Sequence, residues 1–143
     1  MMHARRATAV LLASVLTSSL AWSAGAQARD WQSPDSPFVL GEAYPDVPAT
    51  CETAEDWIDL APPVDGRVSF AITGKLVVIE QDTALAYLVM CEETQVQVMC
   101  VTYSTKGRHL GEKVLFAGGW SRGGERQITL DRAWQRRPTD GSN

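Results

Sequence analysis

Three cysteines are the residues of this chain most able to form a covalent link. Cys51, Cys91 and Cys100 allow one disulfide bond and leave one thiol over. The strand pattern places Cys91 at the end of one strand and Cys100 inside the next, with a turn at Glu92–Gln95. In that register the two cysteines lie about 13 Å apart, whereas a disulfide needs Cα atoms within about 7 Å. Cys51 is therefore expected to be one partner, and we favour Cys91 over Cys100 as the other.

Metal binding and catalysis have few residues to support them. The sequence contains no C-x-x-C motif, and His109 is the only histidine beyond the N-terminal region. His109 lies in a polar link, which is typical of a solvated loop residue. The carboxylate pairs Glu55-Asp56 and Glu92-Glu93 suit a helix start and a turn, and no G-x-S-x-G or S-x-x-K motif presents a nucleophile. We therefore predict a protein that is not an enzyme and that has no cofactor or metal site.

Basic residues are concentrated in the second half of the chain. Between residues 27 and 66 there are nine acidic residues against Arg29 alone, whereas residues 67–143 carry ten basic and eight acidic residues. Two interpretations stay open: a site for a polyanion or an oligosaccharide at the last hairpin, or solvated cations that pair with the acidic segment. The candidate anion-binding residues are Lys106, Arg108, Arg122, Arg126, Arg132 and Trp120.

Alternating apolar and polar residues dominate from Arg67 onward and predict five strands. The first run, RVSFAITGKLVVIEQ, is long for a strand and has Gly74 at its centre. Glycine inside a strand is unfavourable unless the chain bends or bulges there. The same argument predicts a bend at Gly118-Gly119. The pair Gly123-Gly124 lies between two runs and predicts a hairpin turn with positive φ.

This arrangement resembles the OB-fold, specifically the small bacterial exported OB-fold domains. The residues that carry the resemblance are Gly74, the run Leu110–Val114 followed by Gly118, and the ending Ile128–Asp131. The resemblance implies an all-β fold, a five-stranded OB-fold-like small barrel preceded by a Pro-rich leader and one short helix. It also implies a binding surface on the second and third strands of the barrel, for oligonucleotides, oligosaccharides or proteins. Fold alone does not choose among these ligands.

Both faces of the hairpin formed by the second and third strands are mostly apolar. Since only one face can point into a barrel, the other is expected to be covered. The leader is one candidate cover, and a partner protein or a second copy of the chain is the other. The residues predicted to form this partner-binding face are Leu88, Met90, Met99, Val101 and Tyr103.

The N-terminus has the pattern of a secretory signal peptide. Arg5 and Arg6 precede an apolar stretch that is followed by small residues acceptable to signal peptidase. Export makes a disulfide permissible and predicts a periplasmic or secreted protein with no membrane insertion after cleavage. The expected organisation is a signal peptide at 1–26, an acidic Pro-rich leader at 27–66, the barrel at 67–134 and a polar tail at 135–143. Within the leader, Trp57 lies on the apolar stripe of the short helix and is expected to anchor that helix on the barrel.

Function is the least determined property. The doubly apolar hairpin favours an exported, non-catalytic binding module that acts by protein–protein contact or self-association. The alternative is a binder of an anionic oligomer, either an oligosaccharide or single-stranded nucleic acid, through the last hairpin. Against nucleic acid, the predicted outer face has Tyr103 as its one aromatic residue and no lysine or arginine beside it.

Overall fold

The structure is a computed structural model and describes residues 29–136. The predicted signal peptide and the last residues of the predicted tail lie outside that range. In chain order the elements are β1 (Phe38–Leu40), β2 (Ala49–Thr50), α1 (Ala54–Trp57), β3 (Val68–Gln81), β4 (Ala86–Met90), β5 (Gln97–Thr102), β6 (Lys113–Gly124) and β7 (Gln127–Arg136).

β3 is the strand that closes the barrel. Its first half pairs with β6 through Ser69–Lys75, and its second half pairs with β4 through Leu76–Gln81. β4 pairs with β5, β5 runs parallel to β7, and β7 returns to β6, so that the five long strands form a closed ring. The predicted all-β, five-stranded OB-fold-like barrel is confirmed, and β3 passes from β6 to β4 between Lys75 and Leu76, close to Gly74.

Gly118 lies at the predicted bend in β6. The register with β7 shifts between Ala117 and Gly119, which is a β-bulge. A Cβ at Gly118 would lie 2.8 Å from the carbonyl oxygen of Asp131 and 3.0 Å from the Cα of Ala133. Only glycine therefore allows β6 and β7 to approach this closely.

The predicted turn at Gly123-Gly124 is wrong in position. Both glycines still belong to β6, and the turn is formed by Glu125 and Arg126. Neither glycine has a positive φ. The register shifts between Arg122 and Gly124, so the glycines accommodate a second bulge and the strand continues two residues further than the sequence suggested.

The register of the β4–β5 hairpin also differs from the prediction, by one residue. Leu88 pairs with Cys100 and Met90 with Val98, so these four side chains share the inner face. The cause is Cys91, which has φ 74° and donates its backbone N–H to the carbonyl of Lys75, 3.2 Å away. The left-handed conformation of Cys91 begins the turn, so that the β4–β5 ladder ends at Met90 and Val98, and the register follows from the length of this turn.

The leader is part of the sheet and of the core. β1 pairs antiparallel with β3 at Val68–Phe70, and β2 pairs parallel with β3 at Ile72–Thr73. These short strands occupy the edge of β3 that β4 does not reach, which protects it from pairing with other chains. A barrel of fewer than seventy residues has little core of its own, and the leader supplies the missing apolar side chains.

An aromatic cluster joins the leader to the barrel. The ring of Phe38 lies 4.9 Å from Phe70, 5.1 Å from Trp120 and 6.4 Å from Trp57, measured between centroids. Trp57 is 3% exposed and belongs to the same core. It therefore docks the short helix on the barrel, as its place on the apolar stripe predicted.

Candidate functional site

The predicted disulfide between Cys51 and Cys91 is present. Its Cα atoms are 5.4 Å apart, and it joins a residue shortly before α1 to the tip of the β4–β5 hairpin. Cys100 is the remaining thiol and is completely buried. Burial raises the pKa of the Cys100 thiol well above its usual range, so this cysteine lacks the thiolate character that a catalytic nucleophile needs.

The outer surface of β3, β4 and β5 has a continuous row of apolar side chains. Val78 lies opposite Val89, and Val89 lies opposite Met99 across three adjacent strands. Tyr87 and Val101 form the next pair along the same surface. All five side chains are at least partly exposed. We refer to Val78, Tyr87, Val89, Met99 and Val101 as the outer apolar face.

The structure divides the residues that the sequence predicted as a partner-binding face. Leu88 and Met90 are fully buried in the barrel, so their assignment to the outer surface is wrong. The reason is the one-residue shift of register at Cys91, which exchanges the two faces of β4. Met99 and Val101 do lie outside, and Tyr103 is 76% exposed just beyond the end of β5.

Sequence reasoning missed three members of the face, namely Val78 in β3 and the β4 residues Tyr87 and Val89. Tyr87 and Val89 alternate with core residues of β4 and are partly exposed. Alternation alone could not identify the outward set, because all five residues of β4 are apolar or aromatic.

The leader's largest side chains are directed away from this face. Phe38, Trp57 and Ile58 are buried in the core, and Leu40 is 47% exposed at the β1 edge. The expectation that the leader covers the second hairpin is therefore wrong for these residues. They fill the core of the barrel, where burial removes more apolar surface from water than a flat outer face could.

Carboxylates border the outer apolar face. Glu80 lies opposite Tyr87, and Glu92 and Glu93 are exposed in the β4–β5 turn. A cleft of about 530 Å³ opens beside Val78 and is lined by both of these glutamates. In the β3–β4 turn, the backbone N–H groups of Leu85 and Ala84 lower the pKa of Asp82. The face is thus an apolar centre with an acidic border.

The predicted anion-binding residues are not brought together. Lys106 and Arg108 lie in the link before β6, while Arg122 and Arg126 lie at the β6–β7 hairpin, at the other end of β7. Arg108 is nearly buried and pairs with Glu112 at 2.7 Å.

The hairpin arginines are already paired with the leader or the neighbouring turn. Arg122 bonds to Asp59, and Arg126 bonds to Glu55 at 3.1 Å and to the carbonyl of Thr94 at 2.7 Å. Arg132 lies in a third region, 3.7 Å from Glu42. Trp120 packs in the aromatic cluster against Phe38. The arrangement matches the alternative in which cations pair with the acidic leader.

Residues 29–136 contain few other features that could form a metal or catalytic site. No group of three or more His, Cys, Asp and Glu side chains is placed to hold a metal ion in that range. His109 is exposed in the link and donates its backbone N–H to Glu112. Within the same residues no helix has the length and apolar character needed to span a membrane.

Comparison with known proteins adds little to this geometry. No protein-family model and no curated protein sequence matches the chain. Among solved structures, the Stn1–Ten1 complex of S. pombe is similar at 13% identity and a TM-score of 0.38, over 50% of this chain and 59% of that one. The chain thus matches less than two thirds of that protein's length. A likeness this distant says nothing about what the present chain binds.

Proposed function

We propose that this chain is an exported, non-catalytic OB-fold module that binds another protein through the outer apolar face. The observation that carries the proposal is the row Val78–Val89–Met99, which crosses three strands at the surface. A solvated face of an antiparallel sheet normally alternates with polar residues. An apolar surface of this kind is typical of an interface.

The acidic border indicates the chemistry of the partner. Glu80, Glu92 and Glu93 surround the apolar centre, so a partner segment with apolar side chains flanked by lysine or arginine is complementary. Two copies of this chain packed face to face would set these carboxylates against each other. We therefore favour a different protein over self-association.

Export is supported by two features. The N-terminal pattern is that of a signal peptide, and the Cys51–Cys91 disulfide is compatible with an oxidising compartment. N-terminal sequencing of the protein from the exported fraction should find Gln27 or Arg29 as the first residue. An intact Met1 would contradict export with cleavage.

Binding is tested by variants of the outer apolar face. Val89→Glu puts a charge at its centre, and Leu115→Glu is the matched control, because Leu115 is a partly exposed apolar residue of β6. We expect the mature protein to retain a specific exported protein that, once purified, binds directly. Val89→Glu should weaken that binding by about tenfold or more, equivalent to about 1.4 kcal/mol, and Leu115→Glu should leave it intact.

Three outcomes would contradict the proposal. Equal binding of the partner by both variants would show that the outer apolar face does not take part in the interaction. A dimer that Val89→Glu dissociates in sedimentation experiments would assign the face to a second copy. The purified protein could also show reproducible hydrolytic activity that is lost on substitution of His109 or Glu92-Glu93. That result would mean that the protein is an enzyme and not a binding module.

A further inference from the structure

A second concave surface lies where the leader crosses β3, β6 and β7. It is a groove of about 190 Å³, and its lining includes Glu42, Arg67, Ala117, Gly118, Arg132 and Trp134. Ala117 and Gly118 give it a floor of small residues. Pockets for drug-sized ligands occupy about 300–1,000 Å³. The volume therefore suits one ring-sized group and no larger ligand.

Trp134 forms an aromatic wall of this groove. Its side chain is 55% exposed, and its ring is stacked on Tyr44 with centroids 6.2 Å apart and planes inclined by 9°. The guanidinium of Arg136 lies over the ring of Tyr44, 4.9 Å from its centroid. The leader thus holds Trp134 in one orientation while leaving a large part of its surface open.

The two arginines of the groove differ in how closely they are paired with carboxylates. Arg67 lies between two carboxylates, with Nε 3.0 Å from Glu42 and Nη2 3.3 Å from Asp131. Arg132 lies 3.7 Å from Glu42, and its side chain is 72% exposed. Of the two arginines that line the groove, Arg132 is therefore the one placed to meet a ligand.

The backbone at Arg132 is strained in a way that presents its side chain outward. Asp131 pairs with Gly119 and Trp134 with Ala117, so the bulge leaves Arg132 without a place in the ladder. Its φ is 47°, a left-handed conformation that costs free energy for a residue other than glycine. Arg132 and Trp134 both line the groove.

We propose that this groove binds a single acidic sugar residue. The apolar face of the sugar ring packs on Trp134, and the sugar carboxylate pairs with Arg132. Glu42 accepts hydrogen bonds from ring hydroxyls, which are donors that a carboxylate can satisfy. This site is separate from the outer apolar face, and Arg132 is the one residue of the predicted anion-binding set that lines it.

The carboxylates that neighbour Arg67 disfavour a phosphate ligand, and one of them, Glu42, lines the groove. Glu42 and Asp131 both lie beside Arg67, and a dianionic phosphate would be repelled by them. A sugar acid brings one negative charge and several hydroxyl donors. It therefore matches one exposed cation surrounded by hydrogen-bond acceptors.

The test is a titration of the mature protein followed by NMR of the tryptophan indole N–H signals. The Trp134 signal is assigned by its loss in Trp134→Phe. Glucuronate is the probe, glucose is the neutral ring of the same size, and acetate is a carboxylate without a ring. We expect glucuronate to shift the Trp134 signal, glucose to bind about tenfold more weakly, and acetate to leave the signal in place.

Two arginine variants separate the role of charge from the role of the ring. Arg132→Ala should reduce the affinity for glucuronate to that for glucose. Arg122→Ala is the matched control, because Arg122 lies at the β6–β7 hairpin and bonds to Asp59, and it should bind glucuronate as the wild type does. Added salt should weaken glucuronate binding and leave glucose binding unchanged.

Several results would overturn this proposal. They are the absence of any glucuronate-dependent shift of Trp134, equal affinity for glucuronate and glucose, and undiminished glucuronate binding by Arg132→Ala. Tighter binding of uridine monophosphate than of glucuronate would also reject an acidic sugar as the ligand. Unchanged signals of the core residues in each variant would show that the fold is intact.

Discussion

Gly74 lies directly against Cys51, so close that a Cβ at position 74 would overlap the disulfide sulfur of Cys51. The same Cβ would lie 3.1 Å from Sδ of Met90. Gly74 thus lies beside the disulfide that joins the leader to the barrel, and close to Leu76, where β3 changes its partner from β6 to β4. Its lack of a side chain leaves room for these sulfur atoms.

Gly74→Ala should destabilise the protein by about 1–3 kcal/mol, because an added methyl group in a packed site forces its neighbours to move. Urea unfolding would measure the change, and a thiol assay under denaturing conditions would show whether the disulfide still forms. Gly66→Ala is the matched control, since nothing lies within 4 Å of a Cβ there. Equal effects at the two positions would contradict the contact.

Removing the disulfide should be more costly than any surface change. The bond closes a segment with a sequence separation of 40, for which chain entropy predicts a contribution of about 4 kcal/mol. The double variant Cys51→Ala with Cys91→Ala should lose that free energy of unfolding, measured in urea. The wild type with a reducing agent should behave in the same way. A loss below about 1 kcal/mol in both would contradict the chain-entropy argument.

Trp57 and Trp134 should respond very differently to truncation. Trp57 is 3% exposed in the core and Trp134 is 55% exposed, so Trp57→Ala should cost about 3–5 kcal/mol. Trp134→Ala should cost about 1 kcal/mol, mainly the stack on Tyr44. Thermal and urea unfolding of the two variants would give the comparison. A larger cost at Trp134 would mean that its role is structural.

Cys100 should make stability fall at alkaline pH. Its pKa is raised in the folded state by burial, so the folded protein holds the thiol proton while the unfolded chain loses it above about pH 8.5. Stability from this group is complete below that pH and declines above it by about 1.4 kcal/mol per pH unit. Urea unfolding at neutral and alkaline pH should show this decline in the wild type, and Cys100→Ala should lack it.

Thiol reactivity gives an independent check on Cys100. We expect the native protein to resist a thiol reagent and the unfolded protein to react with one equivalent, because Cys100 is the one cysteine outside the disulfide. Rapid reaction of the native protein at neutral pH would contradict the burial of this residue.

Local sequence features predicted those parts of the fold that depend on neighbouring residues. The alternation from Arg67 onward indicated the five long strands, and Gly74 and Gly118 marked the bends, because a glycine inside a strand often accompanies a bulge or a tight bend. The hairpin at Gly123-Gly124 was misplaced by two residues, since a glycine pair fits a bulge as well as a turn. The choice of Cys91 as the partner of Cys51 was confirmed, although the register used to argue against a Cys91–Cys100 bond was off by one.

The candidate sites were less predictable than the strands, because each site depends on contacts between residues that are far apart in the sequence. Leu88 and Met90 could not be told from Tyr87 and Val89 by hydrophobicity, and the register depends on the turn that begins at Cys91. The sequence identified Arg132 as a cation and Trp134 as an aromatic residue. It did not predict that both line one groove with Glu42 of the leader.

The sequence alone determined five long strands with bends near Gly74 and Gly118, since strand periodicity and glycine positions are local properties of the chain, and the resemblance to the OB-fold implied that these strands close into a barrel. The sequence also determined that Cys51 must reach across to the barrel, because a hairpin register separates the other two cysteines. The tertiary structure decided which side of β4 faces outward, where the leader's aromatic side chains are buried, and which arginine of the groove stays exposed. These depend on long-range pairing and on competition for a single core, and no short stretch of the sequence contains that information.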